Sequence, residues 1–305
     1  MIFKNPTFFA FLSILFWSTA ATAFKLSLKF LSYAQLLFYA SFVSFFIFFL
    51  SLLFSKDKWL LKKFFSKEGL LFSLIGGFIN PFLYYLILFK AYTLLPAQEA
   101  MVLNYTWPLA LIILSYPLLG EKPSLKIIMG MCVSFLGVLV VAKIWESPWV
   151  GRPEELLGMI LAIGSSFFWG LSWILNVKDK RDDRIKLGQN FFFGTLFSGL
   201  YILINSSFSW PNVEGGWGVL YIGCFEMGFT FLFWLKALKY SKNIAFVGRL
   251  IFIIPFASLL VISLVIKGPI HLSSIGGLFL IILGILGPKF VPLSLNCRTR
   301  IACGD

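Results

Sequence analysis

Few side chains in this chain can do chemistry, and several of those lie inside apolar runs. Glu226 sits in Gly223-Cys224-Phe225-Glu226-Met227-Gly228, and Arg249 lies a short way into the next run. An ionisable group buried in such a run is costly and is by default a functional candidate whose partner must be named. Glu226 and Arg249 are expected to pair, either facing a cavity or locking neighbouring segments together. A second polar cluster is Asn104-Tyr105-Thr106-Trp107-Pro108. A proline within a helix removes one backbone hydrogen bond and crowds the carbonyl four residues earlier, here that of Asn104. An amide, a freed carbonyl and two aromatic rings would then meet at one depth. Asn80-Pro81, just after Gly76-Gly77, offers a third such place.

Other chemistries lack their residues. No paired acids, histidine cluster or nucleophile with a base stands out, which disfavours a membrane-embedded enzyme. GxxxxGK[ST] does not occur, so the chain is not expected to hydrolyse ATP itself. His271 is the single histidine and falls in a predicted loop. Cys132, Cys224, Cys297 and Cys303 show no metal-ligand spacing. Neither a metal nor a cofactor is expected.

The elements that must position these residues are membrane spans. The 305 residues are 59% hydrophobic, with a mean hydropathy of +0.90. Apolar runs of this length are spanning-helix candidates. They read as ten spans: 8–28, 33–54, 70–92, 97–119, 125–144, 156–177, 187–206, 217–238, 244–266 and 272–290. Lys4, the first run and Ala21-Thr22-Ala23 also resemble a signal peptide, but the repeat described next makes that run a retained span. The formal charge of +13 calls for no nucleic acid, because cytoplasmic loops of membrane proteins collect Lys and Arg. Most of the 26 Lys and Arg residues, including the clusters 56–67 and 178–186, fall on one side if the N-terminus is inside. Both termini are therefore expected in the cytoplasm, in a multi-pass protein whose first partner is the lipid bilayer.

The two halves of the chain repeat. Lys90-Ala91 matches Lys236-Ala237, Pro108 matches Pro255, Gly130 matches Gly277 and Gly137 matches Gly284, at a nearly constant offset. Phe16-Trp17 matches Phe168-Trp169, and Asn80 matches Glu226. The expected fold is an all-α polytopic membrane protein, with ten transmembrane helices as two inverted five-helix repeats. The expected divisions are 1–150, 151–290 and a cytoplasmic tail, 291–305. Interrupted spans at corresponding positions of two halves point to the binding site of a carrier. Trp17, Ser18, Asn80, Tyr84, Asn104, Tyr105, Trp107, Trp169, Glu226, Phe229 and Arg249 are the candidate substrate-binding residues. Pro108 and Pro255 are candidate hinges. Glu99 and Lys90 lie near span ends, where such groups reach water, and are read as mainly interfacial.

Phe16-Trp17-Ser18, Lys90-Ala91-Tyr92, Pro96-Ala97, Pro108, Gly120-Glu121 and their second-half counterparts resemble the drug/metabolite transporter superfamily, EamA type. Asn104-Tyr105-Thr106-Trp107-Pro108 is similar to the N-Y-x-W-P segment of its bacterial aromatic amino acid exporter branch. The second half departs from that branch at Phe225-Glu226-Met227-Gly228 and Trp234-Leu235-Lys236-Ala237, and has Lys267-Gly268 where the first has Gly120-Glu121. The resemblance runs to about Pro288. It implies a central cavity lined largely by spans one, three, four, six, eight and nine, and metabolite efflux by alternating access.

The expected function is a secondary transporter in a bacterial cytoplasmic (inner) membrane. It would export small amphipathic metabolites, amino acids first, as a monomer or homodimer. The alternatives are uptake or exchange of nucleoside-like metabolites, or drug efflux. A channel fits less well, because channels show charge rings or a filter loop.

Overall fold

The computed structural model describes residues 5–120, 125–141, 153–205, 208–240, 250, 253–267 and 271–287. Among them the ordered elements are all helical. Helices α1 (Pro6–Ser27) and α2 (Tyr33–Leu53) are spans one and two. Span three divides into α4 (Leu70–Gly77) and α5 (Tyr84–Leu94), joined by a wide π-helical turn over Phe78–Leu83. Span four divides into α6 (Ala97–Asn104) and α7 (Trp107–Leu119). Then come α8 (Leu125–Val141), α9 (Pro153–Lys178) and α10 (Asp183–Asn205). Span eight divides into α11 (Val213–Tyr221) and α12 (Thr230–Tyr240), again around a wide turn, Ile222–Phe229. Helices α13 (Ile254–Ile266) and α14 (Leu272–Leu286) complete the bundle. Among the described residues, seven segments are long and apolar enough to cross a membrane, and Ile254–Ile266 and Leu272–Gly284 are shorter apolar helices.

Polar residues start these helices, which is why several begin earlier than hydropathy places them. Asn5 accepts hydrogen bonds from the Thr7 and Phe8 amides (3.0 and 3.3 Å), ahead of Pro6 in the first turn. Ser32 and Gln35 form a reciprocal capping box on α2. Asn212 accepts from the Gly215 amide at 2.8 Å, so α11 starts at Val213 rather than 217. Helix α9 starts at Pro153, with Glu154 and Glu155 in its first turn, inside what reads as a loop in the sequence. The cluster 56–67 likewise contains a short helix, α3 (Lys58–Phe64). Asp57 caps it at the Trp59 amide (3.1 Å), and Lys62 and Lys63 oppose the helix dipole in its last turn.

The bundle is apolar outside and dotted with small polar groups inside. Phe11, Leu71, Leu203, Ile204, Leu264 and Phe279 are exposed, whereas Ser13, Ser44 and Thr195 are buried. The hydroxyl of each of these three lies within hydrogen-bond distance of a carbonyl one turn back in its own helix, at 3.0, 2.9 and 2.8 Å. Span one packs on spans eight and nine, while span six packs on spans three and four. Span two pairs with span seven, and span five with span ten. At the α8–α14 crossing the backbones touch. A Cβ on Gly137 would lie 2.8 Å from the Ile281 nitrogen, and the Ser134 hydroxyl donates to the Ile281 carbonyl at 2.9 Å. Small residues permit that approach, which is a main source of helix association inside a bilayer.

One end of the bundle, which carries the 56–67 and 178–186 clusters, is closed by a polar network. The Arg181 guanidinium donates to Asp179 (2.9 Å from Nε), Gln189 (2.6 Å) and Ser73 (2.8 Å). The Gln189 amide donates to the Phe64 carbonyl at 2.7 Å, which ties α3 to α10. Gly69 has φ +71, a conformation that favours glycine, and a Cβ there would push on the Arg181 guanidinium at 2.6 Å. Burial alone would raise the Asp179 pKa, but the hydrogen bonds and charge of Arg181 outweigh it and hold Asp179 below the ordinary aspartate range.

Candidate functional site

Spans three, four and eight, each interrupted, line one cavity of about 80 Å³. In span eight the wide turn places Glu226 against the cavity at 5% exposure. Gly223 makes this possible, because a Cβ there would lie 2.8 Å from the Ala40 carbonyl of α2. The one Ser44 hydroxyl proton of α2 is shared between the Ala40 carbonyl of its own helix and the Gly223 carbonyl, 2.8 Å away, which the wide turn frees. Thr230 donates to the Phe225 carbonyl on the far side of the turn. Glu226 accepts from the fully buried Tyr85 hydroxyl, at 2.9 Å on Oε1 and 3.1 Å on Oε2.

Span four breaks at Tyr105-Thr106, and Pro108 stands in the first turn of α7. The sequence reading put the break at Pro108 itself. Proline fits a helix's first turn, where its missing N–H has no partner to lose, so the ring follows the break. Thr106 shares its one hydroxyl proton between the Leu103 carbonyl (2.8 Å) and Ser166 Oγ (3.2 Å). Asn104 links three spans: it accepts from Tyr84 at 3.3 Å and donates to Ser165 Oγ at 2.8 Å. Pro255 occupies the first turn of α13 in the same manner.

The cavity draws residues from spans one, three, four, six, eight and nine, the set that the resemblance implies. Of the candidate residues, Trp17, Tyr84, Asn104, Tyr105, Trp107, Trp169 and Glu226 line it. Trp17 and Trp169, matched between the halves, meet edge to face at 6.4 Å, and Trp169 packs on Tyr84 at 4.7 Å. Three candidates lie elsewhere. Ser18 is buried, and its hydroxyl donates to the Ile14 carbonyl at 2.6 Å. Asn80 sits in the span-three wide turn and donates to Ser172 Oγ at 3.1 Å. Phe229 is 37% exposed and stacks in a row with Phe225 and Phe233. Arg249 lies outside the described residues, and within them the partner of Glu226 is Tyr85 of span three.

Trp173, Trp234, Tyr92 and Ser258 also line the cavity, and the candidate set missed them. Trp173 is four residues beyond Trp169, hence on the same helical face, a signal that was available. Trp234 contacts Trp17 at 5.7 Å. Lys25 of span one donates to the Tyr92 and Leu95 carbonyls (2.7 and 2.6 Å) and fastens spans one and three. Among the described residues, no cluster of His, Cys, Asp and Glu could hold a metal ion.

Apolar helices interrupted around an aromatic cavity define a polytopic membrane protein. The chain matches the EamA-like transporter family over residues 5–143 and 156–287, and it belongs to that family. It is therefore a multi-pass membrane transporter. It is 25% identical over 219 residues to the uncharacterized transporter YvbV of Bacillus subtilis (strain 168), across 70% of this chain and 69% of that protein. An uncharacterized transporter in the sor 3′ region of Acidianus ambivalens is 29% identical over 208 residues, across 65% of this chain and 76% of its own length. The aromatic amino acid exporter YddG of Ancylobacter novellus is 25% identical over 191 residues, across 62% of this chain and 64% of its own length. A protein of known crystal structure superposes with a TM-score of 0.66 over 94% of this chain and 99% of its own, at 19% identity, which is a likeness of fold.

Proposed function

We propose that this protein is a secondary transporter that exports small amphipathic metabolites, amino acids first among them, by alternating access. The observation that carries the reading is the convergence of three interrupted spans on one aromatic cavity holding a buried carboxylate. Broken helices at midspan are where carriers bind substrate, because freed backbone groups are tolerated only against protein or a wet cavity. Two features support ten spans in two inverted five-helix repeats, 1–150 and 151–290. One is the pair of family matches. The other is crossed packing, in which span one meets spans eight and nine as span six meets spans three and four. The charge bias supports a bacterial inner-membrane protein with both termini in the cytoplasm. The similarity to an aromatic amino acid exporter and the Trp- and Tyr-lined cavity support amino acids with large apolar side chains.

The test is efflux from cells preloaded with labelled amino acids, with and without the protein, repeated after collapsing the proton gradient. Saturable export of large neutral amino acids supports the reading, and its response to the collapse reports proton coupling. No export by correctly inserted protein would overturn the amino acid assignment.

A further inference from the structure

The six spans that line the cavity fall into two groups. Span one packs on spans eight and nine, and span six packs on spans three and four. Trp17, Phe24 and Glu226 reach the cavity from the first group, and Tyr84, Tyr92 and Trp169 from the second. The groups meet differently toward the two ends of the bundle. Toward the end that carries the 56–67 and 178–186 clusters, rings meet: Trp17 lies 6.4 Å from Trp169, and Trp173 stacks on Phe231 at 6.4 Å. Toward the opposite end, Phe24 of span one packs on Phe89 and Tyr92 of span three, at 4.8 and 5.4 Å. The next residue, Lys25, adds a charged tie across the same gap. Its ammonium donates to the Tyr92 carbonyl at 2.7 Å and to the Leu95 carbonyl at 2.6 Å.

The sequence explains why those carbonyls are open to a lysine. In a continuing helix the Tyr92 carbonyl would accept from the N–H of residue 96, but residue 96 is proline and has none. Leu95 is extended, at φ −117 and ψ 157, so its carbonyl lies past the last turn of α5. An ammonium has three donors and can serve both, and a hydrogen bond from a charged donor is stronger than a neutral one. Lys178 makes a useful contrast. It ends α9 in span six and donates to the Leu118 carbonyl of span four at 3.1 Å, so its tie stays within one group.

We infer that Lys25 is a clasp that shuts one mouth of the cavity, and that its release from the Tyr92 and Leu95 carbonyls opens that mouth. This rests on the reading of the cavity as the site of an alternating-access carrier, in which the two groups part first at one end and then at the other. Opening the Phe24–Tyr92 end separates span one from span three, and the Lys25 tie must break for that to happen. Once parted, the ammonium and both carbonyls face the open mouth and take water, so the exchange is a modest one. In the proposed orientation this is the outer mouth.

The experiment reads how fast a cavity thiol is reached. Ala21 lines the cavity one turn before Lys25. Ala21→Cys, with the chain's own four cysteines replaced by serine, is labelled with a charged, membrane-impermeant methanethiosulfonate in intact cells and in inverted membrane vesicles. Adding Lys25→Met should raise the labelling rate in intact cells about tenfold or more, the scale of the charge-assisted hydrogen bonds removed. Adding Lys178→Met should leave it unchanged. Size-exclusion behaviour reports folding, and Lys25→Gln is a second variant of the clasp. Labelling at the original rate in both Lys25 variants overturns the inference. So does an equal rise in Lys178→Met, which would mean a general loosening. Misfolding of both Lys25 variants would make the contact a permanent tie and overturn the clasp. A rise confined to inverted vesicles upholds the clasp and overturns the proposed orientation. The expected labelling in a protein that shows no counterflow upholds the clasp and overturns the carrier reading.

Discussion

At the scale of the residue, Glu226 is the group on which the account turns. A charge in an apolar run is visible in the sequence, but its partner was not. Tyr85 lies in the other half of the chain and is one of 10 tyrosines, with nothing local to single it out. Phe229 shows why face assignments fail near a wide turn. Counted at 3.6 residues per turn, Phe229 shares a face with Glu226. The π-helical turn takes up extra residues, so Phe229 swings outward while Trp234 comes round to the cavity. Glu226→Gln keeps size and a hydrogen-bonding group but removes the charge. Export should fall about tenfold or more, with membrane levels unchanged on blots. Wild-type export at every pH would remove Glu226 from substrate binding and coupling.

In the proposed mechanism, elements carry the motion. The sequence leads to the expectation of breaks in spans four and nine, because proline is conspicuous in an apolar run. It does not show the exact position, because proline tolerates the first turn after a break as readily as it causes one. The wide turns in spans three and eight were legible only as flexible Gly and Pro beside Asn80 and Glu226. In the proposed mechanism Pro108 and Pro255 are hinges that stiffen the start of α7 and α13, so that bending would concentrate at the residues before them. Replacing both by alanine should slow export severalfold while leaving substrate affinity near wild type. Unchanged rates in both single variants and the double variant would dismiss the hinge. The α8–α14 crossing is a separate matter of stability. Gly284 touches Gly130 and Ser134 across it. Gly284→Leu should destabilise the protein by about 1–3 kcal/mol through overpacking, read as a lower midpoint in thermal unfolding in detergent.

At the scale of the whole molecule, the matched small residues and prolines of the two halves were the clearest signal in the sequence. The crossed packing of spans one and six was not legible, since it depends on which helix of the other half each one meets. The network that closes one end was equally hidden. Ser73 and Gln189 lie in two different apolar spans and Arg181 in a basic cluster, and nothing local in the sequence pairs them. Its pH dependence follows from Asp179. The folded pKa lies below the unfolded one, so the contribution is complete above the ordinary aspartate range and is lost as pH falls through the folded pKa. Wild type should unfold at a higher temperature than Asp179→Asn at neutral pH, and the gap should close toward pH of about 3. A gap that persists undiminished into acid would mean that Asp179 does not act as a paired carboxylate.

The central claim is that one cavity is exposed alternately to the two sides. Counterflow tests it most directly. Proteoliposomes holding the purified protein are loaded with unlabelled ligand, and uptake of the labelled form against an equal outside concentration is followed over time. A carrier with a single alternating site predicts a transient overshoot of label that saturates with ligand and is lost in Glu226→Gln. Monotonic equilibration without overshoot, unsaturated at high concentration, would describe a pore and contradict the account.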